Sequence, residues 1–366
     1  MAARITTGEI DQMTKDLSAP FTASRRRMLG LLMAGVAAPA LMPRMALAAG
    51  GTVVVSNWGG DWNERTMRYV EKPLLEDKGF TVVRDLGMEP ERKTKLIAEK
   101  RIRRASADVI HVNSSDAFEL KGQEVVADLD LSKIPNYADV VEELKAPYFV
   151  PWLYSAVVII YNKDKVPEPP TSYADLFDPK WAGRIGLTNQ LYFNYMMMAG
   201  LVANGDMTSA EEGKPLLEKM VAESKPRLYA AHQQLQAGLA NGEVDIAVNY
   251  KARGLQWAAD GQPLAIQYPD EGAIAVTFGA CLTEFGPNRD AGYAYLDAML
   301  DPTAMAGLAE ASLYAPANPK AELSDELRAL VDFSPEERAT MRFLDYAYVA
   351  QNTAGWLEWW NKSFAT

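Results

Sequence analysis

The chain has 366 residues, long enough for two domains or one large two-lobed body. Hydrophobic residues make up 48% and charged residues 23%, which is the composition of a folded globular protein and excludes a mostly disordered one. A net charge of -11, from 37 basic and 48 acidic side chains, argues against a general nucleic-acid binder, while one cysteine and two histidines exclude an intramolecular disulfide and a His- or Cys-rich metal centre.

The first fifty residues read as an address. Arg25-Arg26-Arg27 precede an uncharged run from Met28 to Met42, too short to span a bilayer. Ala46-Leu47-Ala48 then offers the small-residue pattern of a cleavage site, and the Arg pair resembles a twin-arginine export signal. Removing residues 1–48 takes away six basic and three acidic side chains and leaves a charge of -14. The expected product is an acidic protein exported to a periplasm, where the lone Cys281 has no partner thiol.

Thr52-Val53-Val54-Val55 is a β-branched run that predicts a buried parallel strand. Ser56-Asn57-Trp58-Gly59-Gly60 breaks it, and Asp61 with Glu64 predicts a capped helix carried by Met67, Val70 and Leu74 and ended by Gly79. Phe80–Val83 is the next predicted strand, so the chain opens as a βαβ unit. Lys95 to Arg104 reads as a helix, and Ala107 to Val112 as a strand ending in Asn113-Ser114-Ser115-Asp116. Phe149 to Tyr161 is a long apolar extended stretch, cut by the proline-rich Val166–Pro170. Residues 183–249 read as strand, helix, helix, helix, strand; Ala275 to Leu282 is a second apolar crossing; helices fill the remainder from Asp290. Two α/β lobes follow, the chain leaving the first near Tyr154 and returning near Thr277. The expected division is 49–153 plus 278–366 against 154–277.

Signatures of catalysis are missing: there is no G-x-S-x-G, H-E-x-x-H, Walker loop, G-x-G-x-x-G or C-x-x-C. His111 lies within an apolar strand and reads as a hydrogen-bonded core histidine, while His232 reads as a surface or cleft-rim position. Polar or aromatic residues do follow four strand ends, at Asn57-Trp58, Asn113-Ser114-Ser115, Asn189-Gln190 and Asn249-Tyr250, with Arg253 one helical turn beyond the last. Ligands of open parallel sheets bind beyond such carboxyl ends, so the loops together predict a cleft.

The wording of these segments resembles periplasmic solute-binding proteins of the spermidine/putrescine-binding type. The resemblance rests on Val54-Val55-Ser56-Asn57-Trp58-Gly59-Gly60, on Tyr161-Asn162-Lys163-Asp164-Lys165-Val166, and on Pro170-Thr171-Ser172-Tyr173 running through Asp178-Pro179-Lys180-Trp181 to Ile185. Asn241-Gly242-Glu243-Val244-Asp245, Tyr268-Pro269-Asp270-Glu271-Gly272-Ala273 and Tyr314-Ala315-Pro316-Ala317-Asn318 extend it in order over nearly all of the chain after residue 48. It implies a two-lobed, type II periplasmic-binding fold, each lobe a mixed, mostly parallel sheet flanked by helices, with two crossing hinge strands. It also implies a monomeric receptor that works with inner-membrane permease subunits of an ABC importer, without cofactor, metal or catalytic residues, and that closes on a small solute.

The family's ligand positions carry over to Asn57, Trp58, Asn113, Ser115, Tyr154, Tyr250, Arg253 and Glu271. Replacing Trp58 is then expected to weaken binding and leave folding nearly intact. One departure matters. Such polyamine receptors usually carry a carboxylate two to six residues past the Pro-Asp-Glu-Gly-Ala stretch, whereas here Ile274-Ala275-Val276-Thr277-Phe278-Gly279 has none. With Asp270 and Glu271 on one side and Arg253 and Lys251 on the other, a solute with both amine and carboxylate fits better than a polyamine. The alternatives are an anion, a thiamine-like cation or Fe(III) on the same fold, and an exported enzyme.

Overall fold

Val53 and Val55 are fully buried, as a β-branched strand inside a covered sheet requires. They belong to β1 (Gly51–Asn57), which pairs in parallel with β2 (Phe80–Leu86) on one side and β3 (Val109–Asn113) on the other. The computed structural model describes residues 50–364, so the export reading of residues 1–48 lies outside the described residues. Between β1 and β2 runs α1 (Gly60–Thr66), continued by a wider π turn, Met67–Glu71, and Gly79 ends this segment at φ 88°. The expected cap at Asp61 does not form. The helix already begins at Gly60, and Asp61 instead pairs with Arg65 at 3.6 Å.

The next helix, α2 (Glu89–Glu99), begins six residues before the expected Lys95. Pro90 sits in its first turn, where the missing N–H has no partner to lose. β3 passes directly into α3 (Ser114–Gly122), whose first turn is capped by the Asn113 side chain.

The chain then enters β4 (Val150–Asn162), in which only Tyr161 is even half-exposed. β5 (Ile185–Thr188), α4 (Tyr192–Asn204), α5 (Ala210–Lys219), β6 (Arg227–Tyr229), α6 (His232–Ala240), β7 (Ile246–Tyr250), α7 (Lys251–Ala259) and β8 (Leu264–Gln267) follow. The short β6 is absent from the sequence expectation, since three residues carry no readable alternation. β9 (Ile274–Leu282) brings the chain back; α8 (Arg289–Met299), α9 (Pro302–Ser312), β10 (Ala315–Pro316), α10 (Asp325–Val331), α11 (Pro335–Thr340) and α12 (Tyr346–Phe364) complete it.

The strand order is β2-β1-β3-β9-β4-β7-β5-β6, with β8 and β10 also on β4. The expected α/β class is observed. A parallel group of β1, β2 and β3 and a parallel group of β5, β6 and β7 are joined by the antiparallel pair β4 and β9. One core gathers Val53, Val55, Trp152, Tyr295 and Met305, and a second gathers Ile159, Leu187, Tyr195, Met197 and Trp360. Trp360 of α12 stacks on Tyr195 at 5.5 Å and donates to Asn189 Oδ1 at 2.9 Å, so the C-terminal helix covers the second core. Among the described residues no helix is long and apolar enough to cross a membrane.

The contact of β4 with β9 is close. A Cβ at Gly279 would stand 2.1 Å from the Val150 carbonyl oxygen and 2.6 Å from the Phe149 ring. The Val150 carbonyl is fixed by the sheet and the Phe149 ring is buried, so Gly279→Ala is expected to destabilise by about 1–3 kcal/mol. A urea-unfolding midpoint equal to that of the wild type would contradict this.

Candidate functional site

Two strand ends are built alike. Asn57, buried at the end of β1, accepts a hydrogen bond on Oδ1 from its neighbour's backbone, Trp58 N, at 2.8 Å. Asn249, buried in β7, does the same with Tyr250 N at 2.8 Å. In each loop the asparagine fixes the turn and an aromatic ring follows it. Asn57 is thereby a support for Trp58.

The two rings meet on Phe278 of β9. Trp58 lies 6.2 Å from it and Tyr250 6.0 Å from it, both edge-on. Trp62 and Tyr314 each stand 5.6 Å from the same ring. The register explains the meeting: Phe278 pairs with Asn113 of β3 and with Leu153 of β4, within the crossing pair that joins the two parallel groups. Arg92 covers one face of Trp58 at 5.0 Å, and its guanidinium donates to the carbonyls of Gly87, Ser56 and His111. That clamp leaves the ring little freedom.

One carboxylate serves this cluster. Glu89, in the first turn of α2, accepts from Trp58 Nε1 at 3.0 Å and from Asn113 Nδ2 at 3.1 Å. Burial raises its pKa well above the ordinary carboxylate value; the neighbouring Asp116 adds to the rise, and Arg92 and Lys93 oppose it. Asp116 goes the other way. Burial acts to raise it, but hydrogen bonding to the Glu89 carboxyl and the paired Lys93 ammonium hold it below its usual value. Two adjacent carboxyl groups are thus pushed apart, Glu89 upward and Asp116 downward.

Arg253 lies on α7, three residues past Tyr250. Its Nη1 donates to Gln256 Oε1 at 3.1 Å, and its buried Nε has no partner. His232 sits beside Tyr250, ring centroids 5.6 Å apart, and is pushed down to about 4 by burial and by the Arg253 charge. It is therefore neutral near pH 7.

The other expected site residues are placed as follows. Asn113 is in the site, donating to Glu89 while its Oδ1 accepts from Asp116 N at 2.9 Å. Ser115 is the second residue of α3, half-buried just beyond Asn113. Tyr154 is elsewhere: its hydroxyl donates to Asp332 at 2.7 Å and its ring packs on Phe333 at 5.6 Å. Glu271 is also elsewhere. Its carboxylate accepts from the Ser172 hydroxyl and from the backbone N–H of Tyr173 and Ala174, at 2.9 and 3.0 Å, tying down the loop before Ala174–Phe177. Asp270 is held by Thr171 Oγ1 at 3.0 Å. Of the four loops, Asn189-Gln190 serves α12 and α6, through Trp360 and the His232 amide. His111 is a core residue bonded to the Tyr295 hydroxyl at 2.9 Å and depressed to about 3 by burial.

Glu271→Ala is accordingly expected to cost about 1–2 kcal/mol of stability, the scale of a lost helix cap, with solute affinity within about twofold of wild type. A tenfold loss of affinity at unchanged stability would return Glu271 to the site.

Glu89, Phe278, Trp62 and Tyr314 are absent from the sequence expectation. Glu89 was legible only through Pro90, which marks the helix start and so places Glu89 at the carboxyl end of β2.

This arrangement, two groups of parallel strands joined by a crossing pair with polar and aromatic strand ends converging, defines a two-lobed α/β binding protein. The sequence matches the family of bacterial extracellular solute-binding proteins over residues 71–335, and the chain belongs to that family. It is similar to iron uptake protein A1 of Synechocystis sp., 25% identical over 218 residues, covering 55% of this chain and 59% of the relative. It is also similar to the spermidine/putrescine-binding periplasmic protein of Escherichia coli K12, 22% identical over 202 residues, covering 52% and 58%. The chain therefore spans under two thirds of the length of these relatives. Its fold is that of an ABC transporter substrate-binding protein from Bradyrhizobium japonicum USDA 110, with a TM-score of 0.74 at 23% identity, covering 85% of this chain and 99% of that one.

Proposed function

We propose that this protein is the periplasmic receptor of an ABC importer and captures a small amine-bearing solute. The observation that carries this reading is the buried Glu89 carboxylate, set against Trp58 and within the aromatic group around Phe278. A desolvated ammonium needs an anionic partner and is favoured over the faces of aromatic rings. The acid missing from residues 274–279 is supplied from α2 instead. On this reading residues 49–153 and the return after 278 form one lobe and residues 154–277 the other, with α12 over the second. Residues 1–48 serve export and are removed near Ala48, and the mature monomer delivers its solute to permease subunits with no chemical step.

Thermal shift against putrescine, spermidine, aliphatic amino acids, Fe(III) and simple anions tests this. A solute at a hundred times its dissociation constant adds about 2.7 kcal/mol to stability. Amines are expected to raise the melting temperature. A response confined to Fe(III) or to anions would overturn the reading.

A further inference from the structure

Arg253 differs from the other cations of the cleft. Arg92 donates to three carbonyls with Nε and Nη1 while its buried Nη2 has no partner, Lys93 is paired with Asp116 and Glu119, and Lys251 donates to the Asp332 carbonyl. Among the described residues, no carboxylate pairs with Arg253. It is nevertheless held in place, since Gln256, its acceptor, is itself anchored on the Ser312 carbonyl at 2.5 Å. A positioned, half-buried guanidinium is costly to desolvate without an anionic partner.

Arg253 and Glu89 are both near Tyr250. Tyr250 is acted on by the Glu89 carboxyl and by the Arg253 charge, and Tyr314 by Arg253. Both tyrosines pack against Phe278, and Trp58, which carries Glu89, packs against the same ring. One buried acid and one cation without a carboxylate partner thus border the same group of aromatic rings. A diamine would satisfy the first and set its second ammonium against the other.

Resting on the amine-receptor reading, we infer that the solute is a zwitterion with its charges at opposite ends: an ammonium on Glu89, a carboxylate on Arg253, and an aliphatic body along Trp58, Phe278 and Tyr250. The planar guanidinium suits a carboxylate, and Nε together with a terminal nitrogen can present two parallel donors.

Calorimetric titration of wild type, Arg253→Ala and Arg253→Lys with glycine, 4-aminobutyrate, 6-aminohexanoate and putrescine tests the inference. Wild type is expected to prefer one of the two longer amino acids. Arg253→Ala should weaken that solute at least ~30-fold and leave putrescine unchanged or tighter, because removing one partner of a desolvated charge pair is costly. Arg253→Lys keeps the charge without the fork, guards against a variant that fails to fold, and should lie between. Tight putrescine binding by all three proteins, with no response to the amino acids, ends the zwitterion inference and leaves the amine-receptor reading standing. Preference for glycine ends the opposite-ends arrangement. Silence toward every amine ends the receptor reading itself.

Discussion

Glu89→Gln is expected to weaken amine binding by about 2–5 kcal/mol, a ~30- to several-thousand-fold rise in dissociation constant, and to lower stability by only about 1–3 kcal/mol, the scale of one buried hydrogen bond. Glutamine keeps the size of the side chain and one oxygen, so it keeps only one of the bonds that Trp58 Nε1 and Asn113 Nδ2 now donate to separate carboxyl oxygens at 3.0 and 3.1 Å. What it removes is the negative charge a desolvated ammonium needs. The free protein does not miss that charge, because burial already favours the protonated Glu89. Equal affinity of both proteins for the preferred amine, measured by calorimetry, would remove Glu89 from the site.

The same raised pKa sets the pH dependence of the wild type. An ammonium binds the ionised carboxylate, so below the raised pKa of Glu89 binding is coupled to release of its proton. Affinity should rise with pH until Glu89 is ionised before the solute arrives, then level off; as pH falls through the raised value, affinity is lost. The groups facing Glu89 do not blur this trend near neutrality. Asp116 stays ionised, Arg92 and Lys93 stay charged, the Tyr250 hydroxyl is pushed far up by burial, and His232 is neutral above about 4. Titrations in buffers of different ionisation enthalpy should report proton release. No release, with a flat profile from pH 5 to 8, would show a Glu89 already charged.

The architecture was legible because it rests on local patterns. Val53 to Val55 and Val157 to Ile160 are β-branched runs that only a covered sheet accommodates, and they fall in β1 and β4. The strand-end loops were legible for the same reason, since a strand stops where its apolar run stops. Partnership across the molecule was not. Glu271 stands in a stretch resembling the family's, yet three donors from residues 172–174 occupy it, and no pattern in the sequence announces that contact between residues a hundred positions apart. Tyr154 was removed by Asp332 in the same way. Glu89 entered by the converse route: its helix starts at a proline, its donors come from β1 and β3, and only the parallel pairing of those strands brings the three together.

Trp58→Ala should lose more than the sequence suggested, in stability as well as in binding. An unburdened loop tryptophan would leave folding intact when removed. This one touches Trp62 at 5.1 Å, Phe278 at 6.2 Å and the Arg92 guanidinium at 5.0 Å, and it is half-buried among them. Truncation leaves a gap in that group, expected to cost about 2–4 kcal/mol, below the range for a fully buried tryptophan. Binding loses two further contributions. The ring's attraction for an ammonium is worth about 0.5–2 kcal/mol, and the Nε1 hydrogen bond to the Glu89 carboxylate about 1.5–3 kcal/mol. Trp58→Phe separates them, since it keeps an aromatic face and most of the packing while deleting the donor. The phenylalanine variant should melt within a few degrees of wild type and bind the amine about tenfold more weakly, and the alanine variant should be worse on both counts. If Trp58→Phe binds as wild type does while Trp58→Ala fails, the ring alone matters and the hydrogen bond to Glu89 contributes nothing to capture.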